Sequence, residues 1–398
     1  MQREFLPVGQ GAFYHESFEG LSGERINVIY DCGSSSGVEQ VHRQFNEIFE
    51  TAETIQAIFL SHFHEDHVNG LEYLLKHYRV KHIFFPLLTK EDKQLVFLNQ
   101  ISSSTFADEN PFWIRFAENP FETLRQMQLD YSPFLHFVSS RDGDNENEEF
   151  RAELRDFSPW SDVIPSGKDV SELIFDETDI EYRPDWLYIP FHFREKVRRE
   201  KLKVALENSI GTCNPEELLD LLKRHPSCRI DIQKVYEQIP GGFNPNSMLL
   251  YSGIDHHPVD WPAFLEKSWP WPETNRLTVP GALYMGDYEV CGSQKWQEFQ
   301  DAYQKYFPYI GCLQVPHHGS NYNFNFRLLD IEHCDLYVIS ASTDNKYKHP
   351  DGEVIKQIIL SKKLPAIVTE QMDSKICMRI GGCIDPYFMK LRKRLQAL

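Results

Sequence analysis

The chain has 398 residues, of which 41% are hydrophobic and 25% charged, with a formal net charge of −18. That length supports a large buried core in two or three domain-sized units, and the composition excludes a disordered, fibrous or disulfide-scaffold chain. The acidic balance argues against a broad nucleic-acid-binding face, because like charge repels polyanions at long range, although a local basic groove or bound divalent cations would still admit a phosphate.

The eight cysteines (Cys32, Cys213, Cys228, Cys291, Cys312, Cys334, Cys377 and Cys383) contain no CxxC pair. They read as reduced thiols in a cytoplasmic protein. No apolar leader segment is visible at the start, and no apolar run approaches the roughly 18 residues that span a membrane. A soluble chain with no membrane partner is therefore expected. Aromatic residues make up 13%, which fills a core and also leaves room for an aromatic binding surface.

In chain order, residues 26–30 (INVIY) read as a buried strand ending in Asp31-Cys32-Gly33. A Gly/Ser loop over 33–37 leads to a helix over 40–50, then a strand over 56–60, a His-rich loop, a helix over 68–78 and a strand over 80–86. Strands alternating with helices predict an α/β layered structure. From 101 to 240 the pattern changes. An acidic loop lies at 142–149, and helices are expected over 194–208 and 215–224, the latter opened by Asn214-Pro215. The α/β pattern resumes with strands at 247–251, 282–285, 312–315 and 336–340. The expected organisation is thus a first half-core at 1–100, an insertion or cap at 101–240, a second half-core at 241–360 and a C-terminal extension at 361–398.

The chemistry is concentrated in Ser61-His62-Phe63-His64-Glu65-Asp66-His67, which follows an apolar strand and precedes a helix. Neutral imidazole and carboxylate are the usual ligands of zinc and its first-row neighbours. The i, i+2 spacing brings His62 and His64 to one side of an extended loop, and Asp66 and His67 begin the helix. The alternative, a polar surface loop with coincidental histidines, needs three of them and a carboxylate to fall within six residues by chance.

This HxHxDH arrangement resembles the metallo-β-lactamase-fold hydrolases. Other landmarks follow in order: Asp31 closing its strand, Asp287 in Tyr284-Met285-Gly286-Asp287, and His317-His318-Gly319-Ser320 after a strand and Pro316. Within that fold the chain is similar to the ComEC-type branch. The similarity rests on Val8-Gly9-Gln10-Gly11, Asn244-Pro245-Asn246-Ser247, the HHGS run, and Asn345 with His349-Pro350. It covers about residues 1–90 and 241–360. It implies a four-layer αββα sandwich with a large, mostly helical or irregular insertion, and two divalent ions, Zn²⁺ or Mn²⁺.

The resemblance assigns His62 and His64 to one ion, Asp66 and His67 to the other, and Asp287 between them. His317 is expected to complete the second ion. Adjacent residues of an extended chain face opposite ways, so His318 should instead face substrate. Asp66 and His318 are the expected catalytic residues. Asp31, Asn244, Asn246, Ser320 and His349 should support the ligands or touch substrate. Two departures stand out. Asn244 and Asn246 occupy a place where many relatives carry a histidine, and an amide oxygen suits manganese or magnesium better than zinc. Ala12 replaces an acidic residue of the opening motif.

Other residues have two readings. His349 is either a substrate contact or a turn histidine before proline. Asp255-His256-His257 resembles a phosphoesterase DHH motif without its companions and reads better as a loop. His15 reads as a strand-surface residue, Cys32 as packing, the basic run at 390–394 as a solvated helix face, and Trp269 and Trp271 as a Pro-rich surface loop.

The expected function is hydrolysis by metal-activated water (a metal-bound hydroxide), most readily of a phosphodiester, with a nucleic acid or nucleotide as substrate. Two alternatives stay open. One is hydrolysis of a small ester, lactone or amide. The other is a metal-stabilised module that binds a protein partner through its insertion, for example within a multi-protein defence system.

Overall fold

The computed structural model describes residues 1–19, 25–51, 53–89, 92–93, 96, 111–140, 160–175, 185–193, 196–237, 247–256, 263–265 and 276–381. Its strands in chain order are β1 (Gln2–Phe5), β2 (Gly11–Glu19), β3 (Arg25–Ser34), β4 (Thr54–Phe59), β5 (Arg79–Pro86), β6 (Phe134–Val138), β7 (Ser161–Ile164), β8 (Leu187–His192), β9 (Met248–Gly253), β10 (Ala263–Leu265), β11 (Arg276–Leu277), β12 (Gly281–Tyr284), β13 (Ile310–Gln314), β14 (Leu336–Ser340), β15 (Leu364–Val368) and β16 (Ile376–Ile380). The helices are α1 (Val38–Ile48), α2 (Glu65–Val68), α3 (Leu71–His77), α4 (Phe112–Glu118), α5 (Pro120–Met127), α6 (Ser171–Phe175), α7 (Lys196–Ile210), α8 (Pro215–Arg224), α9 (Cys228–Glu237), α10 (Ser293–Tyr303) and α11 (Gly352–Leu360).

Two sheets form the frame. One has ten strands in the order β11-β10-β16-β1-β2-β3-β4-β5-β6-β7, and the other has six in the order β15-β14-β13-β12-β9-β8. Strand alternation explains how they pack. On β3, Ile26, Val28 and Tyr30 face the second sheet and Ile29 faces the helices, and the left-handed backbone at Asp31 breaks the alternation so that Cys32 also faces the helices. Tyr14, Tyr30 and Tyr284 stack between the sheets at centroid distances of 5.0–6.2 Å. Val41, Phe45, Leu71 and Leu74 of α1 and α3 cover the outer face of the larger sheet. Trp296, Phe299, Val354 and Ile358 of α10 and α11 cover the smaller one. The result is the expected α/β sandwich, helix–sheet–sheet–helix.

Several boundaries differ from the sequence expectation. The helix expected over 68–78 is broken into α2 and α3, because the junction is tied to β3. Gly70 N donates to Cys32 O at 2.9 Å, and the Asn69 side chain bonds both Ser34 N and Ser34 O. The segment expected as an insertion sends β6 and β7 into the larger sheet and β8 into the smaller one. These strands are short, so a period-2 pattern barely registers in them. Only α7 to α9 build a separate small core, from Leu202, Leu206, Leu218, Leu222, Ile232 and Val235. Beyond residue 360, β15 and β16 also join the sheets, β16 pairing with β1. None of the seven described cysteines forms a disulfide. Among the described residues no helix is long and apolar enough to cross a membrane.

A buried polar network ties the sheets together. Arg3 Nε donates to Glu16 at 2.7 Å, and its other nitrogens reach Pro280 O and Ser252 O. Glu16 also accepts from Tyr188, Ser252 and Tyr284 at 2.6–2.7 Å. Both side chains are at most 3% exposed. Removing either ion leaves its partner buried and uncompensated. Arg3→Ala or Glu16→Ala should therefore each destabilise the fold by about 3–5 kcal/mol in denaturant unfolding. The double variant should cost clearly less than the two single losses added together.

His15 is fully buried, not at the strand surface. Its Nδ1 lies 2.9 Å from Glu4 and its Nε2 3.1 Å from Asn27 Oδ1. Burial pushes the Glu4 carboxyl up, but the hydrogen bonds and charges of His15 and Lys375 outweigh it and hold the pKa at about 2. A depressed carboxyl pKa contributes stability in full above the unfolded value of 4.5, and that contribution fades as pH falls towards 2. The stake is up to about 3 kcal/mol. Glu4→Gln should be destabilised relative to wild type at pH 6, with the gap narrowing from pH 4.5 down towards pH 2 in parallel urea titrations.

Candidate metal centre

The candidate site gathers where strands of both sheets end at the same rim. Asp31 is on β3, the 61–67 loop follows β4, the turn at 285–287 follows β12, and the His317-His318 turn follows β13. Crevices beyond the carboxyl ends of strands are where α/β sheets place ligands, because there the backbone leaves the ladder and side chains are free to converge.

The loop after β4 is held by Asp31. One carboxylate oxygen accepts Ser61 N at 2.6 Å; the other accepts Ser61 Oγ at 2.6 Å and His67 Nδ1 at 2.7 Å. Asp31 itself sits at φ 54°, a left-handed conformation uncommon for a non-glycine residue. Gly33 lets β3 pass close beneath α2, since a Cβ there would lie 2.5 Å from the His67 backbone. From the second sheet, Met248 N donates to Ser61 O at 2.7 Å, and Tyr30 Oη donates to Met248 O at 2.6 Å. The 285–287 turn is stapled by Gln314, whose Oε1 accepts Met285 N and Gly286 N at 2.6 and 2.7 Å.

Two groups of donors result. His62, His64 and Asp287 bring one ligand atom each to within 4.8 Å of one another, and so do Asp66, His67 and His318. Asp287 connects the groups: its Oδ1 lies 3.2 Å from His67 Nε2 and its Oδ2 3.8 Å from His62 Nε2. His317 Nε2 approaches the same carboxylate at 3.7 Å from the open side, with its side chain 31% exposed.

The pair at 317–318 differs from expectation. The chain here is not extended: His317 and His318 sit in a 3-10 turn at φ 49° and 54°. The turn buries His318 beside Asp66, 3.1 Å away, and leaves His317 at the rim. His318, not His317, therefore shares the donor group of Asp66 and His67. Ser320 is buried, and its N closes the turn on His317 O. Asn244, Asn246, His257, Trp269, Trp271 and residues 390–394 lie outside the described residues. His256 is about half-exposed and pairs with Asp255.

The electrostatics bear on whether cations fit here. His318 Nδ1 lies 2.8 Å from Ser340 O, an oxygen that only accepts, so this nitrogen carries a proton and Nε2 faces Asp66. His67 is the same case: Nδ1 donates to Asp31 and Nε2 faces Asp287. Burial lowers both imidazoles, but the surrounding carboxylates outweigh it and push them up, His67 strongly. Conversely, burial and the neighbouring imidazoles hold His62 well below its usual value, and burial takes His64 down to about 4. His62 Nε2 is buried with no hydrogen-bond partner. A neutral imidazole with a bare, inward-facing nitrogen and carboxylates aimed at other imidazole nitrogens form a donor set that suits divalent cations.

Two supporting residues, Ser247 and Asn323, are not among the expected site residues. Ser247 Oγ lies 3.2 Å from His62 Nδ1 and accepts Asp287 N at 3.2 Å. Asn323 Oδ1 accepts His317 Nδ1 at 2.9 Å, while its amide nitrogen donates to Asp287 O. Ser247 could have been found as the last residue of the Asn-Pro-Asn-Ser run. Asn323 has no local signal. His349 lies 5.7 Å, ring to ring, from His317, and burial beside His317 and His318 lowers its pKa to about 4. Asn345 pins its backbone, accepting His349 N and donating to His349 O.

Ribonuclease J of Mycoplasma pneumoniae is 25% identical over 125 residues, covering 30% of this chain and 21% of that protein. Ribonuclease J of Mycoplasma genitalium is 32% identical over 73 residues, 17% of this chain and 13% of that protein. The chain thus spans about a fifth or less of the curated relatives it matches. Among solved structures, a metallo-beta-lactamase from Cronobacter sakazakii aligns over 77% of this chain and 74% of that one, at 8% identity and a TM-score of 0.26. Residues 21–122, which include the 62–67 loop, match the family model described as Metallo-beta-lactamase superfamily.

Proposed function

We propose that the chain is a metal-dependent phosphodiesterase whose substrate is a nucleic acid or nucleotide. The observation that carries this reading is the pair of adjacent donor groups bridged by the buried Asp287 carboxylate. Two cations about 3.5–4 Å apart are the arrangement suited to an in-line displacement at phosphorus. The limited similarity to ribonuclease J and the ComEC-type motifs lend the phosphodiester its support over other bonds.

In this reading His62, His64 and Asp287 would hold one ion, and Asp66, His67 and His318 the other, with Asp287 lying between the two groups. Bound divalent ions supply Lewis acidity and lower the pKa of coordinated water towards about 7. The protein's own groups set the geometry. Asp31 and Ser340 O hold the Nδ1 protons of His67 and His318, fixing the tautomers that turn both Nε2 lone pairs inward. Ser247 orients His62 and Asp287 together. His317, fixed by Asn323 through its Nδ1–H, and neutral His349 line the open side, and His349 would offer its ring N–H to a phosphate oxygen.

The test is a substrate panel with added Mn²⁺ or Zn²⁺: single-stranded DNA, duplex DNA, RNA and cyclic dinucleotides, beside chromogenic esters, lactones and lactams. Wild type should cleave a phosphodiester, and Asp66→Ala and Asp287→Asn should each lose more than about 100-fold in turnover. Ser247→Ala should weaken metal affinity by about 10–100-fold while turnover recovers at high metal concentration. Turnover confined to esters or lactams would transfer the site to small-molecule hydrolysis, which the net charge of −18 favours. Tight metal without turnover on either panel would leave a partner-binding module.

A further inference from the structure

The loop between β14 and α11 projects a tyrosine beside the candidate centre. Tyr347 is 62% exposed, yet the loop that carries it is tied down. Asn345 Nδ2 donates to Ser342 O and His349 O at 2.9 and 2.7 Å, and Ser342 N donates to Gln10 Oε1 at 3.3 Å. Thr343 bonds the Glu370 carboxylate through both its hydroxyl and its N–H.

The tyrosine ends a row of rings that leads inward. Its ring lies 6.0 Å from that of His349 at an interplanar angle of 20°, and His349 lies 5.7 Å from His317. His317 in turn approaches Asp287 at 3.7 Å. The outer face is flanked by cations: Lys346 Nζ stands 4.8 Å from the Tyr347 ring centre, and Lys348 is also exposed. Of the two aspartates on this loop, Asp344 is exposed and Asp351 caps α11 by accepting Glu353 N. Two exposed lysines thus neighbour an exposed ring at the outer end of the row that leads to His317.

We propose that Tyr347 is the stacking platform for an unpaired nucleobase next to the scissile phosphodiester, with Lys346 and Lys348 engaging the flanking phosphates. This rests on the phosphodiesterase reading and narrows it to single-stranded nucleic acid. Every base presents a π-face, so one rigid ring serves any sequence, while the cations follow the backbone. A duplex would have to unstack to reach the ring.

The experiment compares wild type, Tyr347→Ala and Tyr347→Trp in the full chain. Cleavage of a labelled single-stranded oligonucleotide is followed with kcat and KM separated, and binding of a phosphorothioate-protected oligonucleotide is followed by fluorescence anisotropy. The same oligonucleotides carry a single abasic position, moved along the strand. Tyr347→Ala should raise both KM and Kd by about 5- to 100-fold with kcat nearly unchanged, and Tyr347→Trp should keep wild-type values. One abasic position should weaken wild type by a similar factor and leave Tyr347→Ala unaffected. Wild-type KM and Kd in Tyr347→Ala, on an oligonucleotide that wild type cleaves, overturn the stacking role alone. No wild-type turnover of any phosphodiester overturns the phosphodiesterase reading and this proposal with it.

Discussion

The structure depends on one electrostatic constraint: three carboxylates and four imidazoles converge where strands of two sheets end, and most of them are shielded from water. Asp31 and Asp287 are at most 2% exposed, and His62, His67 and His318 are at most 7% exposed. Burying that much anionic charge is costly unless each carboxylate meets a cation or a donor. Asp31 is satisfied by Ser61 and His67. Asp66 and Asp287 face imidazole nitrogens that carry positive charge only when protonated. Protons and divalent cations thus compete for one set of positions, which is the general condition for a site whose affinity is coupled to protonation.

That constraint accounts for the strain and close packing nearby. Asp31, His317 and His318 all adopt left-handed backbone conformations, a cost that persists only where surrounding contacts over-determine it. Here the contacts come from both sheets: Met248, held by Tyr30, binds the 61–67 loop, Gln314 staples the turn before Asp287, and His317 N donates to Gly286 O. The Arg3–Glu16 network does for the sandwich as a whole what these bonds do at its rim. Because both sheets contribute donors, the site exists only when the two halves of the chain are docked.

The legible part of the sequence was the part with strong local patterns. INVIYD, QAIFL and LYVIS are dense apolar runs, and β3, β4 and β14 lie on them. The donor loop was visible because five ligand-type residues, His62, His64, Glu65, Asp66 and His67, fall within six positions. Less was visible where a feature depends on distant partners. The strands β6, β7 and β8 are four to six residues long, too short for alternation to stand out among loops and helices. The break at Asn69-Gly70 arises from bonds to Cys32 and Ser34, some 35 residues away. His317 and His318 were read by the rule for extended chain, which does not apply in a turn with two positive φ angles. Asn323 reaches His317 only through the fold, and Tyr347 becomes notable only once His349 is placed against His317.

The most direct measurement of the central claim is the divalent metal content of the purified full chain, by elemental analysis after equilibration with Mn²⁺ or Zn²⁺ and removal of free ion. The account predicts two equivalents per chain in wild type, a loss at both positions in Asp287→Asn, and one equivalent retained in His62→Ala. A wild-type chain without stoichiometric metal, or an Asp287→Asn variant that keeps both equivalents, would contradict it.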